Sequence, residues 1–329
     1  MIHENLITRQ VEDYIAFKRS LGYIFRVPAA TLRRFASFTR TAGFKGSLTS
    51  EIAIKWVSHN AYSSRSYKAR LLEIIHTFAK YISAFDSNAQ IPQTGIFGRS
   101  YARLSPYIYS DEEIALLIAE AGKLLSPDGI RAYTVATAIG LLRSTGLRVC
   151  ELTLLKIRDV CFDDGYLFVG KTKFKKDRAV PLHPTVTEKL ALYRDFLIKK
   201  LGKRNESDWF FVNTYGRRFN TWSFEYAFEN IRPVLTADSV RKRKRKVRLY
   251  DIRHTFACKT VKRWLESGID VNQKLFLLST YMGHTTPEHT YWYLSATPEL
   301  LAVSCSRYEI AFGAETEPLA RAGGKGVSE

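Results

Sequence analysis

LLRSTGLRVCELTLLKIRDVCFDDGYLFVGKTKFKKDRAVPL, residues 141–182, changes its periodicity twice in one run. It opens as the end of a helix, breaks at Gly146 and restarts at once as a second helix through Arg-Val-Cys-Glu-Leu. Short β-prone runs follow: Asp159 to Phe162, an Asp-Asp-Gly turn, Tyr166 to Val169, a basic turn, and Arg178 to Leu182. Such short connections predict an antiparallel meander. Helical patterning returns from His183 onward, interrupted by the strand-like DWFFVN at 208–213. The expected fold class is therefore mainly α with a small antiparallel β-sheet.

Upstream, residues 1–86 read as helices alone. Leu6, Ile7, Val11, Tyr14, Ile15 and Leu21 recur at helical spacing and stop at Gly22, and Leu32, Phe35 and Phe38 mark a second helix ending near Gly43. Ile52, Trp56 and Val57 make a third, and Tyr67, Leu71, Ile74, Ile75, Phe78 and Ile82 a fourth. The segment 87–109 lacks periodicity and is rich in Gly, Pro and Ser, so it predicts an interdomain linker. At its end Ser110 and Glu113 form a Ser-x-x-Glu capping box, which starts a second domain at 110–312. The last stretch, 313–329, reads as a disordered tail.

The charge balance narrows the partners. Lys and Arg number 50 against 32 Asp and Glu, and the resulting +18 on a folded chain points to a polyanion such as double-stranded DNA. Arg33, Arg34, Lys68 and Arg70 on the polar faces of the N-terminal helices are DNA-contact candidates, although a solvated face has the same look. The run RKRKRK at 241–246 reads as a phosphate-binding loop, a solvated loop or a nuclear signal, and its place just before Tyr250 favours the first. That makes Arg241, Lys242, Arg243 and Lys244 further candidates. The four cysteines lie far apart with no C-x-x-C pair, which argues against a zinc ribbon or a disulfide framework and suits a reducing cytoplasm, with association to the nucleoid. Neither an apolar leader nor a membrane-length run is present in the sequence, so no membrane partner is expected.

Four polar sets stand where an apolar pattern would not put them. Arg148 follows the Gly146 break, with Glu151 one turn on to hold its guanidinium; a plain intrahelical pair has the same spacing. Lys171, Lys173, Lys175 and Lys176 crowd the tip of the predicted hairpin, where lysines face phosphate or merely keep a turn soluble. Tyr250 and Arg253 fall one helical turn apart in RLYDIRHTFA, which predicts that they face the same way and that His254 lies off that face. Finally, YMGHTTPEHTYWYLSA at 281–296 places His284 after a glycine and Tyr293 nine residues later, with Tyr281 read as core and Tyr291 on a different helical face.

Taken in order, T-G-L-R-x-x-E-L, the lysine turn with R-x-V-P-L, D-I-R-H-T-F-A, and M-G-H with a tyrosine nine residues on resemble the tyrosine recombinase (phage integrase) family across roughly 110–300. The resemblance implies a helical core-binding domain ahead of an α+β catalytic domain, and a site-specific DNA recombinase or integrase of a mobile element working through a covalent 3′-phosphotyrosyl intermediate. Arg148 and Arg253 would clamp the scissile phosphate, Lys173 would be the hairpin lysine, His284 the histidine of the glycine-histidine box, and Tyr293 the nucleophile. Four protomers would assemble on two DNA sites, alone or with related recombinases, and a C-terminal segment near Leu301 to Phe312 would dock on a neighbour. A nicking and closing enzyme of the type IB topoisomerase kind needs the same residues without a synapse, and a catalytically weak DNA-binding accessory protein, with Tyr250 as the sign of lost activity, is the alternative from another class.

The chemistry suits these residue types. Exchanging phosphodiesters while conserving bond energy needs a nucleophile that can leave again, and a phenol does this better than an alkyl alcohol. Two guanidiniums offer paired donors to the non-bridging oxygens and stabilise the charge that builds there. A lysine protonates the departing 5′ hydroxyl, and a histidine bonds the phosphate or moves a proton. The scheme requires no metal or other cofactor, and the sequence suggests no ligand cluster. Tyr250 departs from the family pattern, which places a histidine three residues before the second arginine. A phenol, with an ordinary pKa of about 10, is a hydrogen-bond donor at neutral pH rather than a base.

Overall fold

The computed structural model describes residues 6–59, 63–100, 106–170, 177–235, 246–284 and 290. The chain forms two compact units, Met1–Leu104 and Ser105–Glu329.

The first unit is built from α1 (Leu6–Ser20), α2 (Arg26–Thr41), α3 (Ser50–His59) and α4 (Arg65–Ile82). Each helix turns one apolar stripe inward, since residues three and four apart share a face. Ile7, Val11, Tyr14 and Ile15 of α1 meet Leu32 and Phe35 of α2, Trp56 and Val57 of α3, and Leu72, Ile75 and Phe78 of α4 in one core. Ser64 caps α4 by accepting the Tyr67 N–H. Residues 87–100, linker-like in composition, run back along this core. The Gln90 N–H donates to Leu48 O at 2.8 Å, its side-chain oxygen accepts the Ser50 N–H at 2.9 Å, and Ala89 and Phe97 pack on the helices.

The second unit centres on α6 (Ile130–Thr145), which buries residues nearly all round and packs against α5 (Asp111–Ala121) and α8 (Pro184–Leu201). The capping box at Ser110 and Glu113 is present in full and starts α5. After the short α7 (Val149–Leu152) comes the meander: β1 (Val160–Cys161), β2 (Tyr166–Val169) and β3 (Arg178–Pro181), antiparallel in the order β1-β2-β3. Leu167 and Val169 point into the core while Phe168 points out, the period of two expected of a half-buried strand. Their register places Val169 opposite Arg178 and Leu167 opposite Val180. Among the described residues, 208–213 is not a regular strand. It makes only the isolated bridges Lys156 with Trp209 and Val212 with Arg218, because Phe210, Phe211 and Val212 are spent on filling the core beside Tyr193.

Among the described residues of this unit, three further α-helices follow: α9 (Thr221–Ile231), capped by Asn220, α10 (Asp251–Glu266) and α11 (Val271–Met282). Helix α10 lies on α6, and with α11 it encloses a smaller apolar cluster of Ala257, Cys258, Val261, Leu275, Leu278 and Met282. No described helix is long and apolar enough to cross a membrane. Cys150, Cys161 and Cys258 are free thiols. The expected C-terminal docking segment and tail, 301–329, lie outside the described residues.

Candidate active site

The site forms where three chain turns meet. The first is the end of α6, where Gly146 adopts φ 63°, ψ 20°. A side chain there would be strained, and its Cβ would stand 2.4 Å from the Phe256 ring on α10, so both the dihedral and the close helix approach call for glycine. Its carbonyl accepts Nη1 of Arg253 at 2.7 Å.

The second turn is the end of α11. Gly283 has φ 65°, ψ 44°, the left-handed cap that closes a helix. The turn directs two consecutive carbonyls at two arginines: Met282 O accepts Arg253 Nη2 at 2.6 Å, and Gly283 O accepts Arg148 Nη2 at 2.8 Å. A Cβ on Gly283 would lie 2.9 Å from Arg178 Nη1 and 3.5 Å from Arg148 Nη1. Glycine therefore leaves the guanidiniums room to close in.

The third turn carries Arg148 immediately ahead of α7. Its backbone N–H donates to Glu151 Oε2 at 3.0 Å and its Nη1 to Glu151 Oε1 at 2.7 Å. Glu151 also takes Arg178 from β3, through Nη1 at 3.2 Å and Nη2 at 2.8 Å. Burial alone would raise the Glu151 pKa, but hydrogen bonds and charge from Arg178, and then from Arg148, outweigh it and bring the carboxyl down to about 2. The group is ionised at any working pH.

Arg253 is only 2% exposed, and its Nη2 stands 3.1 Å from His284 Nε2. A guanidinium can only donate, so Nε2 is the acceptor, the imidazole is neutral and its proton sits on Nδ1, 2.8 Å from Thr290 Oγ1. The His284 N–H donates to Ser279 O at 3.0 Å, which anchors the backbone after the glycine.

Tyr250 and His254 differ from expectation. Tyr250 is 44% exposed while Arg253 is buried, and the Tyr250 ring packs edge-on against His254 with centroids 4.9 Å apart. At about 100° per residue, four positions bring a side chain back to within about 40°, three only to within about 60°, so His254 and not Arg253 shares the tyrosine's side. His254 is driven down to about 3 by burial, then by the charges of Arg248 and Arg253, and is neutral. Tyr281, read as core, is half-buried and stacked on Phe256 at 5.6 Å; burial pushes its phenol up to about 12 against the opposing pull of Arg178 and Arg253.

The structure thus brings Arg148, Glu151, Arg253 and His284 together, with Tyr250 one turn away at the surface. Lys171, Lys173, Lys175, Lys176, Tyr291, Tyr293 and the basic run Arg241, Lys242, Arg243 and Lys244 lie outside the described residues. Two further participants went unassigned in the sequence: Arg178, whose signal was the arginine opening R-x-V-P-L, and the glycine of M-G-H, which signalled a left-handed cap. In the first unit Arg33 is held fork to fork by Glu12 at 2.7 Å and Arg34 donates to Tyr67 Oη at 2.9 Å, whereas Arg70 is exposed and Lys68 half-buried. Among the described residues no group of histidine, cysteine or carboxylate side chains has metal-ligand geometry.

A model of the phage integrase family matches residues 108–299, which include Arg148, Arg178, Arg253 and His284. Over 305 residues the chain is 32% identical to a Sinorhizobium fredii protein, y4rB, assigned by name to the integrases/recombinases; the match covers 91% of this chain and 96% of that one. Among solved structures, the Tn1549 transposon integrase in complex with a circular intermediate DNA is similar at TM-score 0.62 and 14% identity, covering 92% of this chain and 99% of that one. XerH recombinase bound to a palindromic difH substrate is similar at TM-score 0.59 and 19% identity, covering 87% and 79%. These two likenesses speak to the fold.

Proposed function

From membership of the phage integrase family, to which this chain belongs, we propose that it is a site-specific tyrosine recombinase that cuts and rejoins double-stranded DNA of a mobile element through a 3′-phosphotyrosyl intermediate. One observation carries the reading: Arg148 and Arg253, far apart in sequence, are fixed by the consecutive carbonyls of Gly283 and Met282, with His284 at hydrogen-bond distance from Arg253. Arg148 and Arg178 share the single carboxylate of Glu151, and Arg253 is held at the carbonyls of Gly146 and Met282, which leaves positive charge where a phosphate would dock.

In this reading the two arginines donate to the non-bridging oxygens of the scissile phosphate. The Tyr293 oxygen attacks phosphorus, the bond to the 5′ oxygen breaks, and Lys173 gives that oxygen its proton. A 5′ hydroxyl from the partner strand then attacks the phosphotyrosine, forming a new phosphodiester and releasing the phenol. His284, neutral with Nε2 directed inward, bonds the phosphate or relays a proton. Tyr250 donates a hydrogen bond and does not act as a base. Two solved proteins of this fold carry DNA in their structures, which supports DNA as the partner, and assembly is proposed as four protomers on two sites.

The test is covalent trapping on nicked duplex bearing the DNA that flanks the gene. Wild type and Tyr291→Phe should form a detergent-resistant protein–DNA adduct, and Tyr293→Phe should bind the DNA without forming one. Loss of the adduct with Tyr291→Phe instead would move the nucleophile. Binding without any wild-type adduct would support an accessory protein, and an adduct that relaxes supercoils without exchanging partners would support a nicking and closing enzyme.

A further inference from the structure

Arg178 has no part in the phosphate clamp as described, yet it is as deeply built into the site as Arg148. Its side chain is 11% exposed against 18% for Arg148, and both are bonded to a Glu151 side chain that is itself 5% exposed. Four N–H groups fill that carboxylate: the Arg148 backbone N–H and Nη1, and Nη1 and Nη2 of Arg178. Gly283 spares space for Arg178 even more tightly than for Arg148.

A buried carboxylate facing a single arginine forms a fork-to-fork pair that uses two donors and cancels the charge. Here the carboxylate is divided between two cations. Arg148 gives it one Nη and keeps the other on Gly283 O, which fixes the guanidinium plane. Two cations against one anion leave net positive charge at the clamp.

We propose that Arg178 is a positioning residue for strand cleavage: it occupies half of Glu151, so that the carboxylate orients Arg148 without neutralising it. The proposal rests on the phosphate-clamp reading. Because Arg178 opens β3, directly after the connection that carries Lys173, it also ties the base of that hairpin to the arginines.

The experiment compares single-turnover cleavage of the nicked duplex by wild type, Arg178→Met, Glu151→Gln and the double variant, with DNA affinity measured in parallel. Without Arg178, Glu151 closes onto Arg148, so Arg178→Met should cleave roughly ten- to a hundredfold slower with affinity little changed. Adding Glu151→Gln removes the anion that captures Arg148, and the double variant should cleave at least about threefold faster than Arg178→Met alone. A role in folding alone predicts the opposite order, because each substitution would add its damage. Protonating Glu151 does what Glu151→Gln does, so the defect of Arg178→Met relative to wild type should narrow as pH falls. Should Arg178→Met not fold, Arg178→Lys, which keeps the charge but not the fork, is read on the same scale with a smaller defect and the same direction of rescue.

Wild-type rates from Arg178→Met or Arg178→Lys, or a double variant slower than the single, would overturn the proposal. Failure of the underlying reading looks different: Arg253→Ala would then cleave like wild type in the same assay, or wild type would give no adduct.

Discussion

Gly283 does more for the site than its lack of a side chain suggests. Its left-handed cap aims two carbonyls at two arginines, and its bare Cα leaves them room. Gly283→Ala is expected to cost about 1–2 kcal/mol in backbone strain and to displace Arg178 and Arg148, so cleavage should fall more than thermal stability does; parallel melting and adduct-formation assays check this. Gly146→Ala meets the Phe256 ring as well as a positive φ and should destabilise by at least about 2 kcal/mol, read as a lower denaturation midpoint. Two buried groups of the site contribute to the acid sensitivity, beside the more exposed Glu12, Asp111, Glu112 and Asp128, whose carboxyls are also held low. The Glu151 folded pKa lies near 2, below the ordinary 4.5, so its stabilisation is complete above that value and is lost as pH falls toward 2. His254, held near 3 against an ordinary 6.5, binds its proton in the unfolded chain first, so stability also drops as pH falls below 6.5. Titrating the unfolding free energy should show two slopes, the His254 one alone down to about pH 4.5 and both below it. Glu151→Gln should make the steeper part shallower. The residue scale is also where sequence reading reached its limit. That Arg148, Glu151, Arg253 and His284 come together was legible because their boxes are short and ordered. The partnership of Glu151 with Arg178 was not, since it joins a helix start to a strand 27 residues away.

At the scale of elements, local signals were the readable ones. The capping box at Ser110, the break at Gly146 and the β-prone run of β2 each rest on residues within one turn or one strand. Ser110→Ala should cost about 1 kcal/mol of stability in chemical denaturation, with the cleavage rate little changed because α5 packs on α6 and α9 and gives no side chain to the arginine cluster. Residues 208–213 misled for a physical reason. Their aromatic, β-branched composition suits a strand, but Phe210 and Phe211 are drawn together into the core around Tyr193, and a ladder with alternating sides cannot do that. Tyr250 was misplaced by the same kind of error, one angular step on a helix. Its contact with His254 is visible only when i+4 is weighed against i+3.

For the whole molecule, the net charge of +18 sets how DNA is approached. Affinity for duplex should fall steeply and linearly on a log–log plot against salt, while the rate of cleavage once bound should change far less, because the clamp is buried and the approach surface is not. Composition suggests a helical N-terminal run, a Gly- and Pro-rich stretch and a second domain opened by the capping box, and the chain has two compact units that divide between Leu104 and Ser105. The course of residues 87–100 was not legible, because it depends on hydrogen bonds to Leu48 and Ser50 that no local pattern announces. The account as a whole rests on Arg148 and Arg253 acting on one phosphate, and the most direct measurement is single-turnover cleavage by Arg148→Ala and Arg253→Ala beside their DNA affinities. Each variant should lose about a thousandfold or more in cleavage, with affinity for the same duplex held within about tenfold. Cleavage within a few-fold of wild type from either variant would contradict it.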